Sequence, residues 1–230
     1  MGGDLPKRLV QSHCKELAIP LTAIFNHSFL NRSWPSLWKM ETVIPIPKIP
    51  TPGSFNDLRP ISMSTLWSKL MESYVASYTL IETGKFWKKN QHGGKRGSVT
   101  DHVLVSLWDS ILSNLDDPNI LATTLVGVDF SKSFSRCSFQ QILLAYKDLN
   151  ASQWCIDMHA AFLTGRHMQV KVGNVLSEQI SVSGGAVQGS ILGVLDHNAV
   201  LENIDNEFVL PASKYVDDFF FFFSWCSPAP

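Results

Sequence analysis

Apolar residues recur at helical spacing at Leu17, Leu21, Ile24 and Phe25, which predicts a first helix over Leu17 to Phe29 with Pro20 in its opening turn. Ser33-Trp34-Pro35 ends that pattern. Val43-Ile44-Pro45-Ile46-Pro47-Lys48 reads as an extended segment at a sheet edge or as an exposed ribbon, because each proline removes a ladder donor. The turn-rich stretch Pro50 to Asp57 leads through Arg59-Pro60-Ile61-Ser62 into a helix from Thr65 to about Ile81. Gln91 to Gly97 forms a glycine-rich basic loop, and Thr100-Asp101 caps a helix over Val103 to Leu115. Leu121 to Asp129 has the β-branched, apolar pattern of a buried strand, and Phe139 to Leu149 that of an amphipathic helix. Met168 to Val172 and Val175 to Val182 flank Gly173-Asn174 as a hairpin. Gly189-Ser190 opens a helix from Ile191 to about Ile204, and Lys214 to Phe223 reads as strand, tight Asp217-Asp218 turn and strand.

With 230 residues and 45% hydrophobic content, the chain can bury one sizeable core or two small lobes that share one. Lys and Arg number 19 against 20 Asp and Glu, so no global positive field attracts a polyanion and nucleic-acid binding must use local patches. One such patch interleaves Lys85, Lys88, Lys89, Lys95 and Arg96 with Phe86, Trp87 and His92, and a solvated loop explains it equally well. Cys14, Cys137, Cys155 and Cys226 lie scattered without a C-x-x-C pair, which disfavours zinc and a disulfide framework and suits a reducing, intracellular compartment. Pro6, Lys7 and Arg8 stand where a signal peptide needs apolar residues, and no run approaches the ~18 apolar residues of a membrane span, so no membrane partner is expected. Pro6 also spoils the myristoylation pattern begun by Met1-Gly2, and the three Asn-x-Ser triplets at Asn26, Asn31 and Asn150 are chance matches without a secretory route.

The strongest chemical signal is Asp217-Asp218 within Tyr215-Val216-Asp217-Asp218, set between apolar segments where hydrated carboxylates are avoided. Asp129 ends another apolar strand, and two strands delivering acids to one sheet edge would make a hard oxygen site suited to magnesium and two-metal phosphoryl transfer. On these residues alone, a polar hairpin turn and a helix cap are equal alternatives.

Three blocks extend the picture. Asp129-Phe130-Ser131-Lys132-Ser133-Phe134-Ser135 resembles motif A of reverse transcriptases from retrotransposons without long terminal repeats. Gly185-Ala186-Val187-Gln188-Gly189-Ser190-Ile191-Leu192 matches all but the proline of motif B, and Tyr215-Val216-Asp217-Asp218 is similar to motif C. Val43 to Lys48, Arg59-Pro60-Ile61-Ser62 and Gln91 to Asp101 fall in the family's order, so the likeness covers nearly the whole chain.

The resemblance implies an α+β right-hand polymerase fold. Helical fingers (1–105) would rest on a small antiparallel palm sheet (106–230), with a fingers-side hairpin near 166–182 and no thumb. It implies RNA-directed DNA synthesis, in which a primer 3′-hydroxyl attacks the α-phosphate of a deoxynucleoside triphosphate and pyrophosphate leaves. Asp129, Asp217 and Asp218 would be the catalytic acids, holding two Mg2+ ions, with Mn2+ as a substitute. Phe134 would exclude a 2′-hydroxyl, Gln188 and Gly189 would line the nucleotide and template pocket, and Lys48 and Arg59 would face the triphosphate. The implied partners are an RNA template, a DNA primer and deoxynucleoside triphosphates, with an intracellular site of action in cytoplasm and nucleus. The alternatives are a catalytically inactive remnant or nucleic-acid-binding scaffold, and an RNA-templated RNA polymerase, which Phe134 disfavours.

Departures from the family pattern are Ser135 in place of the acid that ends motif A, Val187 in place of the motif B proline, and Asp196-His197 in a core-facing turn of the helix after motif B. Phe219 to Phe223 would point to both faces of a strand, predicting exposed aromatics, a missing covering layer or an aggregation hazard. Together with an end soon after motif C and no upstream endonuclease, this predicts a fragment or decayed copy of a mobile element.

Overall fold

The structure is a computed structural model and describes residues 5–94, 97, 99–204 and 212–226. Two sheets are separated in sequence by helices. In the first, β1 (Met40–Pro47) pairs antiparallel with β2 (Leu58–Met63) and, over Met40 to Val43, parallel with β4 (His167–Val172). Of the segment predicted to lie at an edge, Val43 to Lys48, only Val43 pairs on both sides, and the central part of β1 is Met40 to Val43. From Ile44 onward β2 alone flanks β1 among the described residues, and Pro45 and Pro47 fall in that one-sided part, where a missing N–H breaks no second ladder. The short strands β5 (Val175–Leu176) and β6 (Ile180–Ser181) fold back onto β4, so the predicted hairpin forms and joins β1 in one sheet.

The second sheet has the order β3-β8-β7, with β3 (Ile120–Asp129) and β7 (Ala212–Tyr215) flanking β8 (Asp218–Cys226). Expected to be buried, β3 is instead an edge strand whose Leu121 is 67% and Leu125 45% exposed, because no further strand pairs beyond it among the described residues. The phenylalanine run also departs from expectation, since none of the five is exposed. Phe220 and Phe222 pack against Val103 and Leu107 of α4 (Thr100–Leu115), and Phe219 is buried on the opposite face. The aromatic left outside is Trp225.

The main core is helical. Met71 and Val75 of α3 (Leu66–Thr83) share one core with Ile142 and Tyr146 of α6 (Phe139–Asp148). Met158 and Phe162 of α7 (Gln153–Leu163) and Leu192 and Leu195 of α8 (Ile191–Val200) complete the centre. The helix starts follow side-chain caps: the hydroxyls of Thr65, Ser138, Ser152 and Ser190 accept from the N–H groups of Ser68, Gln141, Cys155 and Gly193. Helix α4 starts at Thr100, so Thr100 and Asp101 occupy its first turn rather than preceding it, where Asp101 complements the helix dipole. Short α1 (Lys7–Ser12) precedes α2 (Cys14–Leu30), which begins before the predicted start and leaves Pro20 inside it rather than in the first turn. Helix α8 ends at Val200, short of the predicted Ile204.

Candidate active site

Strand β3 ends on Asp129 and β8 begins on Asp218, and the two are directly paired in the ladder. Their side chains therefore leave the same face of the sheet, with Cβ atoms ~5 Å apart in such a pair. Asp217 sits beside them in the two-residue turn Val216-Asp217 that joins β7 to β8. Val216 has φ of 56°, a left-handed conformation that is strained for a β-branched residue. The buried Gln91 holds this turn: its Oε1 accepts from the Val216 N–H at 3.2 Å and from the Gly93 N–H at 3.0 Å. Gly93 permits that approach, since a Cβ there would lie 2.4 Å from the Val216 nitrogen.

The three acids repel one another. Burial, then the charges of Asp217 and Asp129, raise the Asp218 carboxyl above the ordinary aspartate range. No lysine or arginine forms an ion pair with any of the three among the described residues. Nor do any three His, Cys, Asp or Glu side chains among those residues form a group that could hold a metal ion. The donor chemistry, all carboxylate oxygen around uncompensated charge, nonetheless fits a hard divalent cation.

After Asp129 the chain turns through Lys132, with φ of 56°, into α5 (Ser133–Arg136). The half-buried Phe134 ring stacks flat on His197, centroids 4.1 Å apart and planes 7° from parallel. His197 Nε2 shares a hydrogen bond with Ser133 Oγ at 2.8 Å, and burial lowers the His197 pKa against the opposing charge of Asp217. The Gly185–Ser190 loop fastens onto this segment, because the N–H groups of Ala186 and Gly185 donate to the carbonyls of Phe134 and Cys137, both at 2.7 Å. On its other side the Gln188 carbonyl accepts from the Ser62 N–H at 2.8 Å. Gly189, at φ of 105°, presses so close that a Cβ would lie 2.8 Å from the Ser62 oxygen.

The acids, Phe134, Gln188 and Gly189 are thus linked into one region. Arg59 lies exposed on β2, three residues before Ser62 and ~10 Å from it along the strand. Lys48 is turned back on its own hairpin, its Nζ donating to the Asn56 carbonyl at 3.0 Å. In the basic stretch, Lys85 Nζ lies over the Phe86 ring at 4.9 Å, while Lys95 and Arg96 lie outside the described residues.

No protein-family model matches the chain. A probable RNA-directed DNA polymerase from the transposon X-element of Drosophila melanogaster is 24% identical over 184 residues, which is 79% of this chain and 20% of that protein. The chain therefore spans about a fifth of the length of this curated relative. Apo telomerase from Candida tropicalis, truncated of its C-terminal domain, superposes with a TM-score of 0.58 at 14% identity over 80% of this chain and 44% of that one. Telomerase from the same organism in complex with the TWJ fragment of telomeric RNA gives the same score and identity over 93% of this chain and 40% of that one. The chain resembles a reverse transcriptase domain. The telomerase structures share its α+β fold, and the curated relative is distantly similar to it in sequence.

Three sets of contacts in this reverse-transcriptase-like chain escape a sequence reading. Asp196, singled out as an odd acid in a core helix, is fully buried between Tyr146, whose hydroxyl donates to its Oδ1 at 2.9 Å, and His159 Nδ1 at 2.7 Å. Burial lowers the His159 pKa, but the charge and hydrogen bond of Asp196 outweigh it and raise the group to about 9. Gln91 clamps the acid turn, and Glu72 of α3 accepts the first amides of α8. The partners in these contacts are dozens of residues or more apart in sequence, so no local pattern signals them. No helix among the described residues is long and apolar enough to cross a membrane.

Proposed function

We propose that the chain is the fingers and palm of an RNA-directed DNA polymerase, adding deoxynucleotides to a primer 3′-hydroxyl on an RNA template. The observation that carries this reading is the cross-strand pair Asp129 and Asp218, with Asp217 in the adjoining turn and the Gly185–Ser190 loop hydrogen-bonded to the segment after Asp129. In this reading the fingers run to the start of α4 and take back the β4–β6 hairpin, and the palm is the β3-β8-β7 sheet with α4 to α8. Asp129 and Asp217 would hold magnesium, with Asp218 as the supporting carboxylate. When bound, the ions would supply positive charge to the attacking and leaving oxygens.

The chain's own groups would orient the substrates. Phe134, braced by His197, would lie under the sugar and exclude a 2′-hydroxyl. Gln188 and Gly189 would border the base, where the missing side chain of Gly189 lets backbone come close. Arg59 would offer its planar fork to the triphosphate, with Lys48 as a more distant charge once released from Asn56. The RNA template and DNA primer would lie across the palm, held mainly through phosphate contacts.

The test is primer extension on an RNA template with magnesium. Incorporation of at least one deoxynucleotide, lost in Asp217→Asn, is expected, with little processivity because the chain carries no net positive charge to hold a duplex. No incorporation by the unaltered chain at any nucleotide concentration, with its fold intact by circular dichroism, would favour a non-catalytic scaffold instead.

A further inference from the structure

Glu72 is 0% exposed, yet its carboxylate is surrounded by donors. Oε2 accepts from the Ile191 N–H at 2.9 Å and the Leu192 N–H at 3.5 Å. Oε1 accepts from Ser68 Oγ at 3.1 Å and Ser64 Oγ at 3.4 Å. The first amides of a helix have no partner within it and carry roughly +0.5 of an elementary charge between them, so a carboxylate placed there is matched in both hydrogen bonding and field.

The position of these contacts gives them a second meaning. Glu72 meets α8 immediately after Gln188-Gly189-Ser190, while Ser62, ten residues earlier on the same segment, bonds the Gln188 carbonyl and abuts Gly189. A single stretch from β2 into the first turns of α3 therefore grips the turn from both ends. Beneath it the packing leaves no slack, since a Cβ on Gly193 would lie 1.9 Å from the Val187 oxygen. Ser190 closes the turn by donating Oγ to that same oxygen and accepting the Gly193 N–H.

We propose that Glu72 is a positioning residue that holds the Gln188–Ser190 turn in its working geometry and ties that geometry to the placement of α3. This deepens the polymerase reading and rests on it for the identity of the ligand that the turn serves, a deoxynucleoside triphosphate. Any displacement of α3 relative to α8 is passed to Gln188 and Gly189 through the carboxylate rather than absorbed by a loose loop.

Amide hydrogen exchange by NMR tests the mechanical claim, and titration with a fluorescent deoxynucleoside triphosphate in magnesium tests its consequence. Glu72→Ala should speed exchange at Ile191 and Leu192 by about tenfold, the equivalent of one lost hydrogen bond to a charged group. Val126 and Phe221, paired in the β3-β8 ladder and not bonded to Glu72, should stay within about twofold, and nucleotide affinity should fall by about fivefold or more. Glu72→Gln keeps a carbonyl acceptor of the same length for Ile191 and should restore most of both. Unchanged exchange at Ile191 and Leu192 would overturn the proposal. So would equal acceleration across the whole molecule, since Glu72 would then be only a contributor to stability. If the unaltered chain binds no nucleotide, the polymerase reading fails while the exchange measurement still decides the role of Glu72.

Discussion

In the helical core Asp196 is fully buried, yet it accepts from Tyr146 and pairs with His159, whereas at the end of the β3-β8-β7 sheet three partly hydrated acids stand together with no cation beside them among the described residues. The first charge has its partners inside the fold, and the second has no cationic partner among the described residues. Buried pairs of the first kind destabilise strongly when one partner is lost, because the survivor cannot be hydrated. Clusters of the second kind oppose folding mildly and are retained where a ligand relieves them. The contrast separates residues that hold this molecule together from residues that it holds in place.

The widest gap between the two regions should come from Asp196→Ala, which leaves His159 buried beside an empty site. A loss of about 3–5 kcal/mol is expected in urea unfolding followed by circular dichroism. A loss under about 1 kcal/mol would mean that the core pair is not ionic.

Raising the pH should reproduce part of that loss without a substitution. His159 has its pKa raised to about 9 against about 6.5 in an unfolded chain, so its contribution is fully present below 6.5 and disappears as pH climbs through 9. Denaturation midpoints compared at pH 6.5 and 9.5 should fall in the unaltered chain and change far less in Asp196→Ala.

A smaller effect is expected from Tyr146→Phe, which removes the hydroxyl donated to Asp196 but keeps the ring. The expected loss is about 1.5–3 kcal/mol, the range for a hydrogen bond to a charged group.

The smallest effect has the opposite sign and lies in the sheet. Because the Asp218 carboxyl is raised, the folded chain binds its proton more tightly than the unfolded chain, and its ionised form opposes folding at neutral pH. Asp218→Asn should stabilise the chain by at most ~0.5 kcal/mol after solvent screening, and the gain should shrink in high salt. A measurable loss of stability would show that Asp218 already has a compensating partner.

The place of Asp129 at the end of β3 was legible because a carboxylate after an apolar strand contradicts its surroundings. The turn before β8, however, falls on Val216-Asp217, one residue earlier than predicted, and β8 runs on to Cys226 beyond the predicted Phe223. Helix α7 was not legible, because Cys155, Met158, His159, Phe162 and Leu163 are all buried and leave little polar stripe to set a period. The burial of β3 was overestimated, since apolar content indicates a preference for the interior and says nothing about whether a neighbouring strand exists to supply it. The parallel pairing of β1 with β4 joins segments more than a hundred residues apart and has no turn chemistry to announce it. Glu72 was equally silent, because an acid within a helix reads as surface until the amides that it accepts are known.

Gly93, Gly189 and Gly193 each meet backbone so closely that even a methyl group has nowhere to go. Nearly every amino-acid-changing mutation at such a codon forces a visible defect, so these sites tolerate drift far less than the exposed surface around them. They act as a record of selection independent of any assay. In a lineage where the chain still served a purpose, the three glycines would persist while neighbouring solvent-facing residues diverged. In one released from that purpose, they would decay at the same pace as the rest.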